Sequence, residues 1–300
     1  MQKFFQRLCI LHQIVVESTY KLTETETKTM TTLSVPNWKN GSNILDLKVP
    51  AALEDTIQFA KGSPMAWFNN VMGGDGITPS QVTMFSGDPG IGKTTTMAQF
   101  ADALTGTAKC KTSGKRVIVL LNTAEESLYQ LRKVCKRLGL KHGFVAGQHK
   151  MMGDIEAHVD ELQKENPDAR IVVIPDSLQV IDDGYYKDGG ITSGTHGRVM
   201  ERIIDHAKKR WSTWFVICQV TKSGEAAGKN SLVHAGDCHL RFYYDRQKKS
   251  STFGERLMST TKNRFGSAGI VFVLGMGDSG IYSKGALIDI MSGEEPSDSE

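Results

Sequence analysis

The 300-residue sequence has little cysteine and spaces it poorly for cross-linking. Cys9, Cys110, Cys135, Cys218 and Cys238 include no C-x-x-C pair, and the count is odd. That excludes a disulfide framework and a structural zinc module, and it suits a reducing, cytoplasmic setting. The eight histidines show no metal-ligand spacing either. No apolar run approaches the roughly 20 residues of a membrane-spanning helix, so no membrane partner is expected. Lys3 and Arg7 before Leu8–Leu11 resemble the start of a secretion signal. His12 and Gln13 break that run, however, and no small-residue cleavage site follows. A net charge of +3 is too small to argue for a nucleic-acid partner by itself, so any basic surface must be local. No repeat of 20 to 50 residues is present.

What is there has the balance of a globular protein, 39% hydrophobic and 23% charged. Residues 1–30 end in the polar tract Thr23–Thr29 and are expected to be disordered, with Met30 as a second start candidate. Residues 31–64 read as an irregular approach segment. It holds one short helix near 51–60, with Leu53, Ile57 and Ala60 on a shared face. A regular domain is expected over 65–286, and an acidic disordered tail over 287–300.

Within the regular domain, strands and helices alternate. Gln81–Ser86, Arg116–Leu121, Ile171–Ile174 and Trp214–Gln219 are apolar runs of strand length. Between them Met97/Phe100/Leu104, Leu128/Leu131/Val134/Leu138, Ile155/Val159/Leu162 and Val199/Ile203/Ala207 recur at helical spacing. This predicts an α/β fold: a mostly parallel sheet with helices on both faces. Cys238–Tyr244, Arg256–Thr261 and Ile270–Leu274 have no helix between them and predict an antiparallel extension at one sheet edge.

The stretch Gly87-Asp88-Pro89-Gly90-Ile91-Gly92-Lys93-Thr94 fits G-x-x-x-x-G-K-[ST], the phosphate-binding loop known as Walker A, in the required strand–loop–helix context. Glycines let the backbone curl round an anion, and the helix N-terminus adds partial positive charge. These residues, with Thr95, are the expected nucleotide-binding set. Lys93 is expected to reach the β/γ-phosphates and Thr94 to ligate Mg²⁺ beside ATP. Asp176, ending a buried strand at the same edge, is the second expected Mg²⁺ residue; a plain turn aspartate is the alternative. Glu125 is a general-base candidate for water attack. Glu126, three residues after Thr123, also reads as part of a capping box, so the pair can divide into base and cap. Pro175 removes a backbone donor next to Asp176 and raises the prospect of a bulge.

Together with the phosphate loop, Ala124-Glu125-Glu126-Ser127, Asp176-Ser177-Leu178-Gln179, Val220–Gly224 and Lys262-Asn263-Arg264-Phe265-Gly266 fall in the order and approximate spacing of the RadA/Sms recombination ATPases. The resemblance covers roughly residues 63–280. Lys-Asn-Arg-Phe-Gly is its most telling part, because many families share the phosphate loop. The N-terminal four-cysteine module and the Lon-like C-terminal domain usual in that family have no counterpart in this sequence.

The resemblance implies a RecA-like core, a homo-hexameric ring, ATP hydrolysis at subunit interfaces, and movement on single-stranded or branched DNA in recombination, repair or replication. A recombinase or replisome protein is an implied partner. Lys262 and Arg264, alternate residues leaving a strand, point the same way and would act as cationic fingers on a neighbour's nucleotide; a basic edge strand is the plainer reading. Gln219 takes the place of the polar residue that senses the γ-phosphate. The two loops of the central channel correspond to 182–197, with Tyr185, Tyr186 and Lys187, and 221–230, with Lys222 and Lys229. Aromatics and lysines suit single-stranded DNA, although Asp182, Asp183 and Asp188 would repel phosphate. Two other readings stay open: a DnaB-class replicative helicase, and a nucleotide-switched assembly protein that does not translocate.

Overall fold

A computed structural model describes residues 44–46, 48–185, 190–219 and 231–292. The expectations for residues 1–30, Tyr186, Lys187, Asp188, Lys222, Lys229 and 293–300 lie outside the described residues. Residues 1–49 and 50–300 are separate units. In the first, Ile44–Asp46 make one exposed 3-10 turn; everything below concerns the second.

The second unit opens with helix α1 (Ala51–Glu54), strand β1 (Ile57–Phe59) and helix α2 (Phe68–Val71). The helix expected over 51–60 therefore stops after one turn. Ile57 exchanges backbone hydrogen bonds with Ile77 and pairs with Cys110, so its helical spacing from Leu53 is overruled by sheet pairing. The elements that follow are β2 (Val82–Gly87), α3 (Lys93–Thr107), β3 (Ala108–Cys110), β4 (Arg116–Thr123), α4 (Leu128–Arg137) and β5 (Val145–Gly147). Next come α5 (Met152–Glu165), β6 (Ala169–Asp176), α6 (Ser193–Arg210), β7 (Thr213–Gln219) and α7 (Ser231–Ala235). The chain finishes with β8 (Cys238–Tyr244), β9 (Arg256–Asn263), β10 (Val271–Gly277), β11 (Gly280–Ala286) and α8 (Leu287–Ser292). Helix α8 occupies the start of the segment read as a disordered tail.

Among the described residues all strands join one sheet in the order β1-β3-β4-β6-β7-β2-β8-β9-β10-β11, with β5 beside β4. The strands from β4 to β8 are parallel, and the expected antiparallel extension is β8 to β11. The crossovers bury both faces, which is why the central strands are apolar throughout. On one face Met97, Phe100 and Leu104 of α3 pack on Phe85, Phe215 and Ile217. Phe100 stands 4.6 Å from Phe68 and 4.8 Å from Phe215, ring to ring. On the other face Ile155 and Val159 of α5 and Val199 and Ile203 of α6 cover Met84, Leu120, Ile171 and Trp214.

Helix α3 also buries two polar residues that hydrophobic periodicity does not show. Gln99 clamps the backbone of Ile281 through both its amide atoms, at 2.8 and 2.9 Å. Asp102 accepts the amides of Lys141, His142 and Gly143. Both are satisfied, so neither carries the desolvation cost of an unpaired polar group.

Candidate nucleotide site

Strand β2 is buried along its whole length and ends in Gly87 at the carboxyl edge of the sheet. A Cβ on Gly87 would lie 2.5 Å from the Phe242 carbonyl oxygen, so only glycine fits between β2 and β8. Gly92 caps α3 with φ 107°, a conformation open to glycine. Lys93 then opens α3, and its Nζ donates to the carbonyls of Gly87 (2.8 Å) and Asp88 (3.0 Å). Burial lowers the Lys93 pKa, while the charges of Asp176, Asp88 and Glu125 oppose that shift. The Asp88 carboxylate pairs with Arg246 at 2.8 Å.

Three parallel strands bring polar side chains to this same edge. Asp176, at the end of β6, accepts the Thr94 hydroxyl on Oδ2 at 2.7 Å. Burial, helped by Glu125 and Glu126, pushes its carboxyl up to about 6, against the opposing effects of Thr94 and Lys93. Pro175 does not bulge the strand: Asn122↔Pro175 and Thr123↔Asp176 keep register with β4. On its other side β6 pairs with β7 only at Val172 and Val173, so the missing donor falls beyond the last pair. Thr94 and Asp176 offer hard oxygen ligands, and a buried carboxylate that resists ionisation is relieved by a cation. The donor set fits Mg²⁺.

Glu125, just past β4, accepts the Ser177 hydroxyl at 2.5 Å and the Gln219 side-chain amide at 3.1 Å, both on Oε1. The Gln219 backbone N–H donates to Gln179 Oε1 at 3.2 Å. Lys93, Thr94, Glu125, Asp176 and Gln219 thus line one cleft of about 440 Å³. Glu126 is not a helix cap. Ser127 caps α4, with its hydroxyl accepting from Gln130 N and Gln130 Oε1 accepting from Ser127 N. Two S/T-x-x-E/Q spacings stand in tandem here; the first closes only the turn between β4 and α4, through Thr123 Oγ1.

Lys262 and Arg264 both reach the segment that joins α7 to β8. Lys262 Nζ donates to the carbonyls of His234 (2.7 Å) and Gly236 (2.5 Å), and Arg264 pairs with Asp237 at 3.1 Å. They are not brought to the phosphate loop. Asp237 binds Val82 through its backbone N–H and its side chain, at the opposite end of β2. Strand register agrees, since Asn263 pairs with Cys238 and Cys238 with Thr83.

Tyr185 is well exposed, and its N–H donates to Asp183. Arg198 lies over its ring at 4.9 Å and forms an ion pair with Asp183. That hydrogen-bonded pair holds the Asp183 carboxyl below the usual carboxylate range, so one of the expected repulsive charges is already neutralised. The sequence alone gives no role to Ser177, Gln179, Arg198 or Arg246. Ser177 and Gln179 lie inside the Asp176–Gln179 motif, whereas Arg198 and Arg246 carry no local signal.

No family model matches the chain. It is 30% identical over 213 residues to the DNA repair protein RadA of Aquifex aeolicus, covering 71% of this chain and 44% of that protein. It is also 30% identical over 217 residues to RadA of Bacillus subtilis, covering 71% and 43%. The chain thus spans less than half the length of these curated relatives. Among solved structures, a KaiC-like protein of Pyrococcus horikoshii superposes with TM-score 0.56 at 15% identity, over 76% of this chain and 99% of that one. A DnaB-like replicative helicase gives 0.57 at 14% identity, over 69% and 58%. These likenesses show a RecA-like fold. Through its sequence identity to the RadA proteins, the chain matches the core domain of the RadA/Sms family.

Proposed function

We propose that the chain is a DNA-binding ATPase that works as a ring, most simply a homo-hexamer, and couples hydrolysis at subunit interfaces to movement on DNA in recombination or repair. The observation that carries this reading is the division of the site. One sheet edge gathers Lys93, Thr94, Glu125, Asp176 and Gln219, while Lys262 and Arg264 stand at the other. A neighbour placed head to tail would supply the missing cations, which is the arrangement of a closed ring.

In this reading Lys93 and the loop amides would hold the β/γ-phosphates of ATP, and Thr94 and Asp176 would hold Mg²⁺, which would supply positive charge beside the phosphoryl oxygens. Glu125, oriented by Ser177 and Gln219, takes the proton of the attacking water. Arg264 and Lys262 of the neighbour stabilise charge that develops in the transition state. Gln219 links Glu125 to the segment after β7, so its hydrogen bond can report the nucleotide state to the DNA loops. The same reading assigns Tyr185, Lys187, Lys222 and Lys229 to DNA. The ATPase rate of size-resolved oligomers, with and without single-stranded DNA, tests it. Stimulation confined to the oligomer supports it, and slow hydrolysis indifferent to DNA contradicts it.

A further inference from the structure

From Ser127 to Gly153 the sequence contains no aspartate or glutamate, yet it carries Arg132, Lys133, Lys136, Arg137, Lys141 and Lys150. These six cations exceed the +3 of the whole chain. The structure arranges them narrowly. Tyr129, Arg132, Lys133, Lys136 and Arg137 follow the i, i+3, i+4, i+7, i+8 spacing, so they form one stripe along α4, and all are exposed. Leu131 and Leu138 on the opposite side are buried. Among the described residues, none of the four helical cations forms an ion pair. Elsewhere several surface cations are paired, among them Arg202 with Glu156, Arg210 with Asp160, Arg116 with Asp168 and Lys284 with Glu255.

The isolated fold does not account for the whole stripe. Arg132–Lys136 and Lys133–Arg137 are like charges at i,i+4, which destabilise a helix. The helix dipole compensates cations only in the last turn, and so does not account for Arg132 and Lys133. The stripe is nevertheless rigidly presented. Ser127 and Gln130 close its N-terminus, and buried Asp102 ties down the following turn through three amides.

We infer that this face of α4 binds the sugar–phosphate backbone of DNA, at a site separate from the two channel loops, with Tyr129 at its head placed to stack on a base. An acidic face on a second copy is the competing occupant, and the assembly measurement below separates it from DNA. The inference rests on the DNA-binding reading above and adds a second contact to it.

The test is affinity for a fluorescent oligothymidylate and for a duplex across a salt series. It compares the wild type with R132Q/K133Q/K136Q/R137Q, charge-keeping K133R/K136R, and Tyr129→Ala. Four lost phosphate contacts should make the slope of log K against log salt shallower by about 3 on the single strand. K133R/K136R should keep the wild-type slope, and Tyr129→Ala should weaken single-strand binding more than duplex binding. An unchanged slope in the quadruple variant, with the wild type binding DNA, overturns the inference and leaves the function reading standing. Loss of assembly by the quadruple variant without DNA would instead make the stripe a subunit contact and overturn it. A wild type with no DNA affinity defeats both.

Discussion

Lys93 and Arg264 are anchored at opposite ends of strand β2. Lys93 follows the carboxyl end of β2 and bonds back to Gly87, while Arg264 is tied through Asp237 to Val82 at the other end. Those anchor points are the first and last of the strand's 6 residues, about 17 Å apart at the ordinary rise. No side-chain rotation carries Arg264 to a phosphate held by its own loop. If the cation pair serves hydrolysis, it serves a neighbour's.

Glu125→Gln should lower the ATPase turnover by about 10²- to 10⁴-fold, the range for loss of a positioned general base. Nucleotide affinity should change little, because Lys93, Thr94 and Asp176 remain. Parallel turnover and nucleotide-binding titrations check this; an equal loss in both would make Glu125 a binding residue.

The stem of the first loop gives a coupling prediction. Arg198 holds both Asp183 and the ring of Tyr185. Arg198→Ala and Tyr185→Ala should therefore each weaken single-stranded DNA binding by about tenfold, within the worth of one stacked base. The double variant should lose little more, since the two act as one unit. Additive losses would separate them.

His239 gives a pH prediction. Its Nε2 bonds Ser86, just before the phosphate loop, at 2.7 Å, and its Nδ1 bonds Thr261, just before Lys262, at 2.6 Å. Burial, with Arg241 and Lys262 adding, lowers its pKa to about 4. An unfolded histidine titrates near 6.5, so between these values the unfolded chain binds more protons. Stability should be full above pH 6.5 and fall as pH drops towards 4, by roughly 2 kcal/mol at pH 5 from this group. Urea unfolding at pH 7 and 5 should show that loss in the wild type and a smaller one in His239→Gln. Equal losses would assign the pH dependence to other groups.

The sequence made the phosphate loop, the strand–helix alternation and the residues at the carboxyl edge legible, because each rests on local pattern. Asp176 and Glu125 follow apolar runs that end at one edge whatever the loops do. What stayed hidden depends on partners distant in sequence. Ile57 pairs with Ile77 and Cys110, β11 is held by β10 and by Gln99, and α8 continues from β11. Tandem capping spacings concealed Ser127 behind Thr123. The separation of Lys262 and Arg264 from the loop needed the register of three strands. Alternation along β9 could only say that the pair points one way.

The central claim is that the site is completed by a second subunit. Lys93→Ala subunits lack the phosphate lysine but keep their fingers; Arg264→Ala subunits have the reverse defect. Each alone should be nearly inactive. The decisive measurement is the ATPase rate of co-assembled mixtures across their mixing ratio. The account predicts a rate that rises to a maximum near equal proportions, where the most Arg264→Ala loops face an intact finger. A flat, inactive mixture in demonstrated mixed oligomers would contradict it.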